Sequence, residues 1–508
     1  MFPIKYIENN LVFSHNGECY AYYEMIPYNY SFLSAEEKFQ LHDNFRQLIA
    51  QNHDGMIHAL QISTQSSINT IQEHSKKEIS GNLKNIAIEK IDQQTQALID
   101  MIGEYQMDYR FFIGFKLIVN EEEISLRNVK KNSAMSFSDF IHGVNSRLMG
   151  DFVSVANYEI NRYQKLEKLL ENKISRRFKI RKLDKKDFGY LIEHIHGNSD
   201  TDFEDYDYDF PIEKLKKETM VKRYDIIRPS RYCIEEKQRY LKITGEEKTT
   251  YTSYFTISNI VGELDFPSCE IFYYQQQQFT FPIDTSMNVE IITNKKALAT
   301  VRNKKKELLD LDNHALESDN DTGSNVEEAL DSVSELEAND DMNVKLVRPF
   351  GDMIGLHGEF IPSGKRYIND YVQYVTSDFL AGLGFGAAQM LGENNGIYIG
   401  YNIDTGRNVY LKPWIAAQGV KGTVTNALAT AFLGSLGGGK TFANNLLVYY
   451  AVMFGGQAVI LDPKSERGNW KESLPDIAHE INIVNLTNED KNRGMLDPFV
   501  IMSNIKDA

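Results

Sequence analysis

The stretch Gly434–Thr441 reads Gly-Ser-Leu-Gly-Gly-Gly-Lys-Thr and matches the pattern GxxxxGK[ST] in full. Successive backbone N–H groups of such a loop surround a polyphosphate, so the chain must bend where a Cβ atom would clash. The phosphate then lies at a helix N-terminus, where the helix dipole and unpaired N–H groups favour negative charge. The pattern predicts an ATP-binding loop built from Gly434, Ser435, Leu436, Gly437, Gly438, Gly439, Lys440 and Thr441.

Two side chains of this loop carry the predicted chemistry. Lys440 is expected to reach the β- and γ-phosphates and is the first catalytic candidate, while the Thr441 hydroxyl is placed to bind Mg²⁺. ATP and Mg²⁺ are therefore the predicted cofactors. The alternative is a glycine-rich turn followed by an accidental Lys-Thr pair.

The residues around the loop have the strand–loop–helix pattern that a P-loop requires. The apolar run Ala427–Leu433 predicts a strand that enters the loop, and the helix after the loop is predicted to end at Gly455-Gly456. Ala458–Leu461 and Glu480–Leu486 are predicted as the next two strands. Such a context counts against an accidental turn and favours a partial α/β RecA-like P-loop NTPase domain.

Two carboxylates follow the second predicted strand and are further catalytic candidates. Asp462 and Glu466 lie in Val459-Ile-Leu-Asp-Pro-Lys-Ser-Glu466. In one interpretation, the four apolar residues before Asp462 correspond to the strand that carries the second nucleotide-binding motif. Alternatively, one of these carboxylates polarises the attacking water, as in RecA-like motors, and we favour this reading because the strand follows the P-loop helix directly. A surface turn at Asp462-Pro463 with a solvated Glu466 stays open as the structural alternative.

Composition limits the remaining classes of protein. The 508 residues are enough for about two to four domains, and 28 Phe and 28 Tyr can fill their cores. A formal net charge of -16 argues against wholesale non-specific DNA coating, but direct nucleic-acid contact through a local basic patch stays open. Three scattered cysteines predict reduced thiols, and the lack of a signal pattern or a long apolar run predicts a cytoplasmic protein.

The front of the chain alternates strand and helix signals, so residues 1–293 are predicted to form an α+β N-terminal docking domain. Asn16-Gly17 predicts a hairpin between Leu11–Phe13 and Cys19–Met25, and Ser34-Ala-Glu-Glu37 predicts a capped helix. The other predicted elements are strands near Ile57–Ile62 and Tyr109–Val119, helices at Ile91–Tyr105 and Phe152–Ile174, and strand character over residues 249–293.

Two later segments complete the predicted organisation. Residues 294–345 combine a helical hairpin with an acidic connector, and residues 346–508 form the incomplete RecA-like P-loop ATPase domain. Within the latter, Gly396–Gly400 and Val409–Leu411 predict two short paired strands.

Two weaker patterns favour structural roles. The alternating run Arg176–Lys182 could be a nucleic-acid patch, but a strand with a solvated basic face is the better interpretation. His194 and His196 lack spaced carboxylate or cysteine partners, so we expect core or surface histidines rather than metal ligands.

Four segments together resemble the traffic ATPases of conjugation and type IV secretion machines. They are Asn16–Tyr22, Gly396–Asn402 with Asp404-Thr-Gly406, the P-loop with Phe442-Ala-Asn-Asn, and Val459–Glu466 with Leu496-Asp-Pro-Phe499. The chain looks most like the VirB-type assembly ATPase in the ConE-like form of Gram-positive conjugative elements. That resemblance implies a RecA-like motor, a hexamer or dimer docked at the inner face of the membrane, with other channel components as partners.

The same resemblance implies ATP hydrolysis that drives channel assembly and transfer of DNA or protein. In the sequence 67 residues follow Thr441, whereas a complete domain of that kind has ~200 residues or more. We therefore expect an incomplete motor that lacks the later motifs, and whether this chain alone hydrolyses ATP stays open. Two alternatives remain: a docking or interaction module with a vestigial nucleotide site, and a fragment of an FtsK- or HerA-type DNA translocase.

Overall fold

A computed structural model describes most of the chain, as two compact units. One unit comprises Met1–Ser67, Tyr105–Leu391 and Tyr401–Asn408, and the other comprises Ile68–Glu104, Gly392–Gly400 and Val409–Ala508. The described residues are 2–52, 55–119, 152–197, 206–246, 248–260, 266–267, 269–278, 283–292, 296, 299, 344–388, 392–393, 395–402, 406–414, 429–435, 437–463, 465 and 467–484.

Strands and helices alternate along the described residues, so the protein is mixed α/β. The strands are β1 (Ile4–Glu8), β2 (Leu11–Ser14), β3 (Cys19–Met25), β4 (Tyr28–Asn29), β5 (Met56–Ser67), β6 (Tyr105–Lys116), β7 (Phe152–Ala156), β8 (Ile180–Lys182), β9 (Glu213–Lys214), β10 (Glu218–Lys222), β11 (Cys233–Glu236), β12 (Leu241–Thr244), β13 (Thr249–Thr252), β14 (Thr256–Ile260), β15 (Thr285–Glu290), β16 (Val344–Val347), β17 (Ala387–Ala388), β18 (Ile397–Tyr401) and β19 (Asn408–Leu411). The helices are α1 (Ala35–Ala50), α2 (Ile68–Lys77), α3 (Lys84–Ile102), α4 (Asn157–Ile174), α5 (Lys185–Gly197), α6 (Arg223–Ile227), α7 (Ile271–Gln278), α8 (Met353–Gly358), α9 (Ser377–Gly382), α10 (Lys440–Met453) and α11 (Trp470–Ser473).

The first unit is organised around an antiparallel sheet in the order β1-β2-β3-β6-β5-β15, with β8 also paired to β3. The predicted hairpin at Asn16-Gly17 is confirmed, because β2 and β3 pair and Gly17 has a positive φ of 80°. The Ser34 capping box is present at the start of α1, whose Phe45 and Leu48 are buried. The predicted strands near Ile57 and Tyr109 are β5 and β6.

Two predicted elements of this unit are partly wrong. Phe152–Ala156 was expected in a helix but forms β7, because it pairs along its length with β10, a partner far away in sequence. The strand prediction for 249–293 is interrupted by helix α7, where the Gln276 side chain donates to the carbonyl oxygens of Phe272 and Ala387. Both errors arise from long-range partners that a local pattern does not contain.

The second unit holds the P-loop. Its hydrophobic cluster joins α3 to the C-terminal half of the P-loop helix α10, through the buried residues Ile79, Leu83, Ala87, Ile91, Ile397, Met453, Phe454 and Ile477. The predicted pairing of the two short strands is confirmed, since β18 and β19 form a two-stranded sheet. The end of α10 is also confirmed, with Gly455 at a φ of 100°.

The strands predicted around the P-loop are not formed in the described residues. Residues 429–433 and 481–484 have no strand structure, and neither does Ala458–Leu461, where Val459 is 93% and Leu461 86% exposed. A strand needs a neighbour that pairs with its N–H and C=O groups. Apolar composition gave these segments the propensity for a strand, but no described strand pairs with them.

Three further expectations concern the cysteines, membrane-spanning helices and the division into domains. The described cysteines are free thiols. Among the residues that the structure describes, no helix combines the length and apolar character that crossing a bilayer requires. The helical hairpin expected within 294–345 lies almost entirely outside the described residues, so the division at 293/294 and 345/346 stays a prediction.

Candidate functional site: a P-loop at the start of a helix

The glycines of the P-loop give the backbone a curled path. Gly437 and Gly439 have φ angles of 80° and 77°, in the left-handed region that L side chains rarely adopt. The N–H of Gly438 donates to the carbonyl oxygen of Ser435 at 3.2 Å, which closes a tight turn. Among the described residues, apart from each glycine and its two chain neighbours, no heavy atom lies within 4 Å of a Cβ built on Gly437 or Gly439. The loop therefore has the bent backbone and open space that a phosphate needs.

The helix that follows presents a free N-terminus to this space. Helix α10 begins at Lys440, its N-cap residue is Gly439, and neither a side-chain cap nor an acidic residue is present in its first turn. Ala443 N–H donates to the carbonyl oxygen of Gly439 at 2.9 Å, so the first N–H groups before it remain for a ligand. A helix terminus without a cap or a carboxylate favours an anion.

The predicted lysine reaches over the loop. The Nζ atom of Lys440 donates to the carbonyl oxygens of Gly434 and Ser435, at 2.9 and 2.5 Å. Its ammonium group is thus held at the curled loop rather than in an apolar interior. A bound phosphate would offer charged oxygens as stronger hydrogen-bond acceptors than these carbonyls.

These residues fit the triphosphate of a nucleotide. They combine backbone N–H donors, a lysine ammonium group and a bend that only glycine accommodates without strain. Thr441 is the exposed second residue of α10. Within the described ranges no group of three or more His, Cys, Asp or Glu side chains could hold a metal. Mg²⁺ would depend on Thr441 and the phosphates, which suits an ion that retains several waters. Leu436 lies outside the described residues.

The structure gives Asp462 partners that the sequence did not indicate. Its Oδ2 atom accepts a hydrogen bond from the backbone N–H of Arg467 at 2.9 Å, and its Oδ1 atom lies 3.6 Å from Arg467 Nη1. Arg467 Nε in turn donates to Oδ1 of Asn445 on α10, at 2.9 Å. Asn445 could have been noticed, because it follows Thr441 by four residues and so shares its helix face.

The structure describes two of the three catalytic candidates, Lys440 and Asp462. Lys440 lies in the loop, and Asp462 lies in a set of contacts that includes the P-loop helix. Glu466 is outside the described residues. The roles assigned to Asp462 and Glu466 stay predictions.

The support of the P-loop helix comes from within its own unit. Met453 and Phe454 at its end are buried with Leu83, Ala87 and Ile91 of the α3 region. Lys90 of α3 forms an ion pair with Asp476 at 3.0 Å. The packing of Met453 and Phe454 fixes the end of α10 that lies opposite to the P-loop.

The weaker sequence candidates have structural roles. Arg181 contacts Glu24 and Asp187, and Lys182 contacts Glu167 and Glu171, so these basic side chains of the 176–182 run are paired within the protein. His194 bonds to Asp284 at 2.8 Å and is buried. His196 is also buried, and burial lowers its pKa to about 4. Both histidines therefore lie in the core, which is one of the two placements that the sequence left open.

Comparison with known proteins supports an ATPase in the broad sense. Residues 407–508, which include the P-loop, match the AAA-like domain family. The chain is also 27% identical, over 187 residues, to the "Uncharacterized protein YddE" of Bacillus subtilis strain 168. That alignment covers 31% of this chain and 22% of the relative, so it spans about a fifth of the relative's length. The match places an AAA-like domain, which implies nucleotide binding, on the segment that carries the curled loop.

Proposed function

We propose that this chain is the ATP-binding component of a conjugation or type IV secretion machine of the VirB type, in a ConE-like form. In it, ATP hydrolysis in a RecA-like motor is coupled to channel assembly and to transfer of DNA or protein. The observation that carries the proposal is the curled glycine loop at an uncapped helix N-terminus, within the segment that matches the AAA-like domain.

Different residues of the loop bind the phosphates, neutralise their charge and bind Mg²⁺. The N–H groups at the start of α10 bind and orient the phosphates, and Lys440 neutralises charge on the β- and γ-oxygens. Thr441 supplies a hydroxyl to Mg²⁺, which when bound neutralises charge that develops on the phosphate oxygens. Asp462 or Glu466 accepts a hydrogen bond from the attacking water.

The proposed partners, oligomeric state and location are those that the same family resemblance implies. The partners are the other channel components and further copies of the chain, as a hexamer or dimer. The location is the cytoplasm, with attachment to the inner face of the membrane through those partners. Residues 1–293 are the proposed docking domain, and their described part includes the large sheet, in which Arg110 and Arg181 form ion pairs with Glu24.

A lysine variant tests the proposal. In Lys440→Ala the ammonium group is lost, so ATP affinity of the chain should fall on the order of tenfold to a hundredfold, the usual cost of a hydrogen bond to a charged group. Lys84→Ala is the matched control, because Lys84 is an exposed lysine at the first position of another helix, α3. Binding is measured with a fluorescent ATP analogue.

The same two variants, placed in the complete motor in donor cells, test the coupling. We expect Lys440→Ala to abolish DNA transfer and Lys84→Ala to retain it. Normal transfer by Lys440→Ala would contradict a motor role. Normal transfer together with no ATP binding by the unmodified chain would favour the interaction module with a vestigial site.

A further inference from the structure

A set of contacts lies one helical turn beyond the P-loop. Asn445 follows Thr441 by four residues on α10, and residues four apart lie on the same face of a helix. The Oδ1 atom of Asn445 accepts a hydrogen bond from Arg467 Nε at 2.9 Å. The guanidinium group of Arg467 is therefore attached to the helix face that carries the predicted Mg²⁺ ligand.

The same arginine holds Asp462 at two points. Its backbone N–H donates to Oδ2 of Asp462 at 2.9 Å, and its Nη1 atom lies 3.6 Å from Oδ1. The side chains of Arg467 and Asp462 are only 17% and 15% exposed. A charged pair that is shielded from water and has additional hydrogen bonds has a defined geometry, unlike an exposed surface pair.

We infer that Arg467 is a positioning residue for the Mg²⁺–nucleotide site. It links Asp462 to Asn445 and so keeps the Asp462 carboxylate on the side of α10 that carries Thr441. A carboxylate in that position can accept hydrogen bonds from water bound to Mg²⁺, and such outer partners orient metal ligands. The inference rests on the proposed function, because it concerns the same nucleotide site.

A purely structural role for Arg467 is the competing explanation. In that case the arginine only holds Asp462 to α10, and its loss lowers stability to the same extent with and without the metal. The positioning role predicts instead a loss that depends on Mg²⁺. Nucleotide affinity measured with and without the metal separates the two explanations.

The experiment uses the full chain and measures ATP affinity in Mg²⁺ and in EDTA. Arg467→Ala should lower the affinity for ATP in Mg²⁺ by about tenfold or more, the usual cost of losing an outer partner of a metal site. Its affinity in EDTA should stay within about twofold. Asp462→Asn should show the same pattern, and the double variant should lose no more than either single variant, because both act through one contact.

Three further variants keep the test clear if Arg467→Ala folds poorly. Arg467→Lys keeps the charge and the backbone hydrogen bond to Asp462, but it removes the planar guanidinium group, which contacts Asn445 and Asp462 through different nitrogens, so it should lose Mg²⁺-dependent affinity. Asn445→Asp keeps an acceptor for Arg467 and should retain that affinity, whereas Asn445→Leu should lose it. The control is Lys471→Ala, which removes an exposed positive charge four residues after Arg467.

Two results would overturn the inference. One is an equal loss of affinity with and without Mg²⁺ in Arg467→Ala, which would leave the proposed function intact and make the arginine structural. The other is unchanged affinity in Mg²⁺. If the unmodified chain bound no ATP and Lys440→Ala changed nothing, the proposed function would fail and this inference with it.

Discussion

At the scale of single residues, the P-loop depends on two glycines that adopt a left-handed backbone. Gly437 and Gly439 have open space around the position of a Cβ atom, so an alanine there would meet no neighbour. The cost of a substitution would come from the backbone conformation alone. A substitution to alanine at these positions therefore tests conformational strain and not a steric clash.

Gly439→Ala should therefore weaken ATP binding through strain. An L-residue in the left-handed region costs about 1–2 kcal/mol. We expect the free loop of Gly439→Ala to relax out of this region, so that ATP binding has to restore the strained conformation and the affinity falls by up to roughly fivefold to thirtyfold. Gly406→Ala is the matched control, because Gly406 has a φ of 67° and equally open space. Both variants should lower the free energy of unfolding, but only Gly439→Ala should change ATP affinity in a fluorescence titration. Equal ATP affinity of the two would show that the loop does not bind in this conformation.

At the scale of secondary-structure elements, the helix that begins at the P-loop ends in a hydrophobic cluster with α3. Ile91 of α3 is 2% exposed and lies in the cluster that contains Met453 and Phe454. Residues 68–104 lie far from the P-loop in sequence, yet they belong to the same compact unit. The support of α10 therefore comes from a segment inserted between β5 and β6.

Ile91→Ala should loosen α10 by leaving a cavity in this cluster. The expected loss in the free energy of unfolding is about 2–5 kcal/mol, as for other large-to-small changes in a core. Met101→Ala on the same helix is the control, because Met101 is 61% exposed. Hydrogen exchange followed by mass spectrometry should show faster exchange over residues 440–453 in Ile91→Ala alone. Unchanged protection there would mean that α3 does not support the P-loop helix.

The elements that the sequence predicted well are those with local causes. The hairpin at Gly17, the capping box at Ser34 and the helix after Lys440 each depend on residues within a few positions of each other. The loop itself belongs to this group, since its glycines and its lysine are contiguous.

The errors have long-range causes. The pairing of β7 with β10, the packing of α3 against α10 and the contact of Arg467 with Asn445 join residues that no local pattern connects. Ala458–Leu461 has a composition typical of a strand but is not a strand in the structure. A strand forms only where another strand pairs with it.

At the scale of the whole molecule, the two units differ in what they bury. The unit with the P-loop buries mainly apolar residues around α10. The unit with the large sheet also buries several histidines, among them His58, His196 and His357. His58 contacts the Tyr22 hydroxyl at 2.9 Å and Ser286 Oγ at 3.1 Å, and His357 contacts the Tyr254 hydroxyl at 2.7 Å. These buried histidines therefore make the stability of the unit with the large sheet sensitive to acid.

The sign of this effect follows from the pKa values. Burial lowers the pKa of His58 to about 3, and burial followed by the neighbouring His196 lowers that of His357 to about 3. Burial lowers the pKa of His196 to about 4. In the unfolded chain the same groups have a pKa of about 6.5. Between these values the unfolded state binds more protons, so the free energy of unfolding falls as the pH falls.

His58 and His357, whose pKa values in the folded protein are about 3, should each contribute about 1.4 kcal/mol per pH unit between about pH 5.5 and 4.5. His58→Gln removes one of them, so its free energy of unfolding should depend on pH less steeply than that of the unmodified chain by about this amount. His479→Gln is the control, because that side chain is 62% exposed. The measurement is urea unfolding at pH 7.5, 5.5 and 4.5. Equal slopes in all three proteins would mean that His58 is protonated in the folded state as readily as in the unfolded chain.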